Sequence, residues 1–151
     1  MSVLTLTPKS WGSWNFAVSD GERQLADVRL SWWREKGMLS LEDGDYDVYR
    51  ESLLGDFVLE RAGSIVARAS KPSVFERCFV ISYHEKSYTL RARAALRRAF
   101  VVMDGSLEVG SIVPESIWTR RATVQLPDEW PLAVQSFAMW LTIVHWKRDA
   151  S

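Results

Sequence analysis

The sequence predicts a mainly β fold: a closed antiparallel barrel of about 12 strands enclosing a hydrophobic C-terminal helix. Two observations carry this expectation. From Val3 to Leu126, short apolar runs recur about every 8–12 residues between turn signals, a spacing that argues for a sandwich or a barrel. After Leu126 the pattern changes, and the last long segment is apolar on every side, so it must be surrounded by lipid or by protein. A barrel can take such a helix as its core. The 151 residues suffice for one domain, spanning 1–151, with a core of ordinary size and no need of disulfides or metals.

The strand runs can be read in order. From Trp14 onward they include Asp56–Arg61, Ser64–Ala69, Phe79–His84, Ser87–Ala94, Arg98–Met103, Leu107–Val113 and Thr119–Leu126. Asp20-Gly21, Asp43-Gly44 and Asp104-Gly105 are hairpin signals of the type I′ kind, with Ala62-Gly63 a weaker one. The run Tyr88–Ala94 alternates cleanly. Thr89, Arg91 and Arg93 share one face, and Tyr88, Leu90, Ala92 and Ala94 share the other, which predicts one wet and one buried side. A weak echo recurs at a period of about 42 residues. It aligns Ser31–Arg34 with Ser73–Glu76, Tyr46 with Tyr88, Gly63-Ser64 with Gly105-Ser106 and, with one residue of slip, Phe57–Leu59 with Phe100–Val102. Either two hairpins share a chance similarity, or the sheet is built from four-strand units.

The helix is expected over about 128–148. Asp128 is the N-cap candidate, Glu129 makes the first turn acidic, Pro131 is harmless there, and Lys147 and Arg148 suit the negative end of the helix dipole. A membrane span needs about 20 predominantly apolar residues. Gln135, Ser136 and Thr142 interrupt this stretch, so burial within protein is the expectation.

The strand–Gly turn–strand units around Asp56–Ala69 and Phe100–Ile112, Gly110-Ser111-Ile112 running to Pro114, and the terminal Leu126–Leu141 run together carry a resemblance. Many short antiparallel strands followed by one all-round apolar helix resemble the tubby C-terminal-domain-like superfamily, which includes LURP-one-related proteins and phospholipid scramblases. The likeness covers about Trp14 to Arg148, as of a compact prokaryotic-type member, and it is one of pattern rather than of a sharp signature. It implies a barrel wrapped around a central hydrophobic helix and, in outline, an anionic headgroup as ligand. The chain is shorter than the tubby domains themselves. No palmitoylation-type Cys cluster, Pro-rich arm or scramblase-like calcium loop is visible, so lipid scrambling is not carried over.

Composition excludes several function classes. Nineteen basic side chains balance nineteen acidic ones, which speaks against a nucleic-acid binder. The single cysteine, Cys78, excludes an intrachain disulfide and a Cys-cluster zinc site, and its apolar run predicts a buried, inert thiol. The start of the chain lacks the charged and apolar regions of a secretion signal, so a cytoplasmic location is expected, with peripheral membrane contact as a further reading. His84 and His145 lie far apart without metal-ligand spacing, and the Asp43 stretch fails the EF-hand register at Val48 and Leu54. No catalytic motif is visible; the expectation is no enzyme, no cofactor and no metal.

Two features invite a binding role. Lys86, Arg91, Arg93, Arg97 and Arg98 fall in one stretch without an acid, and Arg120 with Arg121 can add to them. Arg91 and Arg93 on one strand face suit a phosphate held between guanidiniums; the plain alternative is a solvated face paired with Glu or Asp. The eight Trp are the second feature. Trp32 and Trp33, if extended, point to opposite faces, so at least one is exposed as a membrane-interface or partner-contact residue. Trp11, Trp14, Trp118 and Trp130 flank turns and can plug barrel ends, while Trp140 and Trp146 fill the lumen. The expected function is a non-catalytic binding module for an anionic lipid headgroup or phosphorylated ligand. The alternatives are a protein-interaction scaffold and, against the occupied lumen, a carrier of a small hydrophobic ligand. The expected partner is an anionic phospholipid surface or a protein.

Overall fold

The computed structural model describes residues 3–72, 77–93 and 96–150, of which 96 and 97 by backbone alone. It is a closed antiparallel barrel with one C-terminal helix, as the sequence predicts. The strands are β1 (Leu4–Pro8), β2 (Asn15–Asp20), β3 (Arg23–Leu30), β4 (Lys36–Leu41), β5 (Gly44–Arg50) and β6 (Phe57–Arg61). They continue with β7 (Ser64–Ser70), β8 (Cys78–Tyr83), β9 (Lys86–Arg93), β10 (Leu96–Asp104), β11 (Leu107–Pro114) and β12 (Ala122–Gln125), followed by α1 (Leu132–Asp149). Each strand pairs with its sequence neighbours, and β1 pairs with β12 to close the ring, Leu4 opposite Val124 and Leu6 opposite Ala122. Closure removes the free sheet edges that an open sheet exposes.

Alternation sets the inside. Phe16 and Val18 on β2, Tyr46 and Val48 on β5, Phe79 and Ile81 on β8, and Tyr88 and Leu90 on β9 are all buried, while their neighbours face outward. The helix is buried almost throughout, from Ala133 to Trp146. Its rings fill the lumen. Trp140 stacks on Phe137 at 6.3 Å between ring centroids and meets Phe57 edge-on at 5.9 Å, while Trp130 meets Tyr88 edge-on at 5.0 Å. Small residues make the room: a Cβ on Gly37 would stand 2.8 Å from Trp140 Nε1 and 1.9 Å from the Arg29 carbonyl oxygen.

Several expectations need correction. β1 takes up the first apolar run, just after Val3 as expected, but Thr119–Arg121 belong to a loop rather than to β12. The helix starts four residues later than expected, at Leu132 with Pro131 in the N-cap place and no acid in its first turn. Asp128 and Glu129 instead form a turn closed by the Trp130 N–H donating to the Pro127 carbonyl at 3.0 Å. The extended ψ of 156° at Pro131 separates that turn from the helix. Cys78 opens β8 half-buried, opposite the outward Arg91, rather than inside the core. Trp130 does plug one end and Trp14 is half-buried, but Trp11 and Trp118 are fully exposed. Of the echo at a period of about 42 residues, Tyr46 and Tyr88 lie on β5 and β9, and Phe57 and Phe100 on β6 and β10, each pair four strands apart. Ser73–Glu76, Ala94 and the side chain of Arg97 lie outside the described residues.

Candidate functional site

The two ends of the barrel differ in sequence and in charge. At one end the strands are joined by tight turns; β6–β7 turns at Ala62 and Gly63 (φ 49° and 85°) and β8–β9 at His84 and Glu85 (φ 49° and 62°). This turn end carries Asp20, Glu22, Glu42, Asp43, Glu85, Asp104, Asp128 and Glu129. Its cations are largely taken up by these acids: Arg23 by Glu42 at 3.2 Å, Arg61 by Asp43 at 3.0 Å and Lys86 by Asp104 at 2.7 Å. The helix enters here, so its positive dipole end faces the acidic turns.

The other end, the mouth, is formed by the loops 9–14, 31–35, 51–56 and 115–121 together with the chain around residue 77, and the helix C-terminus reaches it. Here the acids are outnumbered. Glu35 pairs with both Arg50, at 3.2 Å, and Arg148. Asp149 pairs with both Arg77, at 3.6 Å, and the buried His145, at 3.3 Å. Arg121 pairs with Glu115 at 3.4 Å. Lys147 donates to the Ser31 and Trp32 carbonyls and lies 5.4 Å over the Trp32 ring.

Arg98 and Arg120 are held differently. Arg98 Nη1 donates to the Thr119 carbonyl at 3.0 Å, and its guanidinium lies 5.1 Å over the Trp146 ring. Arg120 Nη1 donates to the Ser13 carbonyl and Nη2 to that of Ser10 at 3.3 Å, over Trp14 at 4.9 Å and Phe16 at 5.6 Å. Phe16 and Trp146 are themselves neighbours, with centroids 6.1 Å apart. Burial, and then the charge of Arg120, lower the Arg98 pKa, and burial lowers that of Arg120. Among the described residues neither has a carboxylate within ion-pair distance. Two fixed guanidiniums therefore share a half-buried place over aromatic rings with no carboxylate at ion-pair distance among the described residues, a geometry suited to an oxyanion.

The remaining candidates fall elsewhere. Arg91 and Arg93 do share the outer face of β9, but Arg93 pairs with Glu108 at 3.1 Å, and Lys86 lies at the turn end. The basic stretch is thus divided between the barrel wall, the turn end and the mouth. Trp32 and Trp33 are both exposed, on a loop rather than a strand. Beside them a cleft of about 190 Å³ is lined by Trp33, Arg34, Glu35, Lys147 and Arg148. The exposed tips Trp11, Leu53, Leu54, Ile117 and Trp118 share this end and were not foreseen as a group. Their signal is adjacent apolar pairs, Trp32-Trp33, Leu53-Leu54 and Ile117-Trp118, set in turns where alternation would forbid them.

Among the described residues no three His, Cys, Asp or Glu side chains converge as a metal site, and no helix is long and apolar enough to cross a membrane. The fold defines the class: a closed antiparallel β-barrel filled by its own C-terminal helix. No protein-family model, curated protein or solved structure matches the chain.

Proposed function

We propose that this chain is a non-catalytic binding module, tubby-like in architecture, whose ligand carries an anionic phosphate group bound by Arg98 and Arg120 at the mouth. One observation carries the reading: two half-buried guanidiniums are fixed by backbone carbonyls and aromatic rings with no carboxylate partner among the described residues. Charge-assisted, bidentate contacts from arginine are the strong form of phosphate recognition. The β9 wall is the weaker candidate, because Arg93 already holds Glu108. Arg121, held by Glu115, supports the mouth's charge from the rim. The protein works in the cytoplasm on this reading, at or near a membrane that presents such groups. A protein-interaction scaffold is the second reading, favoured by the paired apolar tips Leu53-Leu54 and Ile117-Trp118. A carrier of a hydrophobic ligand has least support, since Phe137, Trp140 and their neighbours occupy the lumen.

Titration calorimetry with inorganic phosphate at constant ionic strength tests the reading. The wild type is expected to bind with a dissociation constant of about 1 mM or tighter, and Arg98→Gln with Arg120→Gln to lose binding about tenfold or more. Arg91→Glu with Arg93→Glu is expected to leave it unchanged. If the wall variant loses binding and the mouth variant keeps it, the ligand belongs on β9.

A further inference from the structure

The largest exposed apolar side chains are gathered rather than scattered. Trp11, Trp33, Leu54 and Trp118 stand on four different loops, and all four loops are at the mouth. Among the described residues the turn end has no such cluster of loop tips; its large exposed apolar residues are Val3, just ahead of β1, and Ile65 and Leu107, beside the hairpin turns on the strands β7 and β11. An exposed Trp or Leu at a loop tip gains nothing from folding, so a cluster of such tips at one end marks a surface that meets something apolar.

Charge divides along the same axis. The mouth has more cations than acids, with Glu35 shared between Arg50 and Arg148 and Asp149 beside Arg77. The turn end is acidic. A formal net charge of zero therefore hides a molecule with a positive, apolar-tipped end and a negative, polar one. Apolar tips with cations behind them match the order of groups in an anionic bilayer, hydrocarbon beyond headgroups. Trp belongs at that boundary, and Lys and Arg keep their charges at headgroup level. A folded protein partner fits less well. Its usual demand is one well-packed desolvated centre, whereas these tips are spread over separate loops and the cleft beside Trp33 holds about 190 Å³.

We infer that the mouth is a membrane-docking surface: the tips Trp11, Trp33, Leu54 and Trp118 enter the interface of an anionic bilayer, with the barrel axis along the membrane normal and the acidic turn end facing away. The inference deepens the anionic-ligand reading and takes from it the Arg98 and Arg120 pair at the mouth. The helix C-terminus points at the bilayer, where Lys147 and Arg148 offset the negative dipole end. The acidic far end is repelled by the same surface, so the field orients the molecule before contact.

Vesicle co-sedimentation with phosphatidylcholine alone and with added phosphatidylserine tests the surface, together with quenching of tryptophan fluorescence by acyl-chain-brominated lipid. The full chain is expected to bind the phosphatidylserine vesicles at least about tenfold more strongly than the neutral ones at low salt, and less so as salt rises. Brominated lipid is expected to quench the wild type, and Trp33→Ser with Trp118→Ser to weaken binding about tenfold. Both substituted residues are exposed, so circular dichroism and the melting temperature are expected to stay as in the wild type. Equal binding to both vesicle types, absence of quenching, or unchanged binding by the folded double Trp variant would each overturn the inference. The ligand reading fails separately: vesicle binding that needs the Trp tips but is indifferent to Arg98→Gln with Arg120→Gln keeps the docking surface and removes the phosphate pair. Phosphate binding without vesicle binding keeps the pair and removes the surface.

Discussion

Trp146 and Arg98 hold each other twice: the indole Nε1–H donates to the Arg98 carbonyl at 2.9 Å, and the Arg98 guanidinium lies 5.1 Å over the same indole. The last turn of α1 is thereby tied to β10, and the side chain proposed to meet the ligand rests on the helix that fills the core. Trp146→Phe keeps an aromatic platform and removes the hydrogen bond. It is expected to cost about 1 kcal/mol in urea denaturation and to weaken phosphate binding several-fold. Unchanged binding in that variant would show that the Arg98 position does not depend on the helix.

Ser136 is expected to be better replaced. Its hydroxyl is buried inside the barrel without a hydrogen-bond partner among the described residues, a cost that folding bears for no return. Ser136→Ala removes the unpaired group and favours the helix. The expected outcome is a gain of about 1 kcal/mol, seen as a higher urea midpoint at unchanged slope.

Gly37 is expected to tolerate no side chain. A Cβ there would fall 1.9 Å from the Arg29 carbonyl oxygen, which is backbone and cannot swing aside, and 2.8 Å from Trp140 Nε1. Gly37→Ala should destabilise by about 2 kcal/mol or more, with the loss measured by thermal unfolding. An alanine variant of wild-type stability would mean that β3 and β4 part easily at this register.

Stability should fall on mild acidification through His145. Burial lowers its pKa first of all, and Arg77, Lys71 and Arg148 push the same way, while Asp149 opposes them. The folded state therefore binds a proton less readily than the unfolded one. The sign follows: this contribution is complete above the ordinary histidine pKa of about 6.5 and is lost as pH falls below it, by at most about 1.4 kcal/mol per pH unit. His145→Gln should flatten urea-derived stability between about pH 6.5 and 5. A variant as acid-sensitive as the wild type would assign the effect to other groups.

The barrel was legible because its signals are local. Alternation in Tyr88–Leu90 and the Gly21 and Gly105 turns repeat a rule that holds within a few residues. His84-Glu85 was invisible as a type I′ turn because neither residue is glycine, yet both adopt positive φ. The late helix start was hidden because Asp128 satisfies the local pattern of an N-cap while the Pro127–Trp130 turn takes that stretch instead. The site was the least readable part. Arg98 and Arg120 come together only because β10 and the loop 115–121 meet at the same rim, through rings contributed by β2 and α1. The sequence reading set Arg98 and Arg120 in one basic group, but with Lys86, Arg91 and Arg93 as well, although a whole strand length separates Lys86 from Arg98.

The element that fills the lumen follows all twelve strands in sequence. During synthesis the inward rings of Phe16, Phe57 and Phe100 therefore emerge before Trp146, Trp140 and His145, the helix rings they pack against. Until then the strands have neither a filling nor, without β12, the pairing that closes β1 into the ring. The nascent chain must stay loose or shielded over nearly its whole length, and its folding is decided late, by the arrival of one helix.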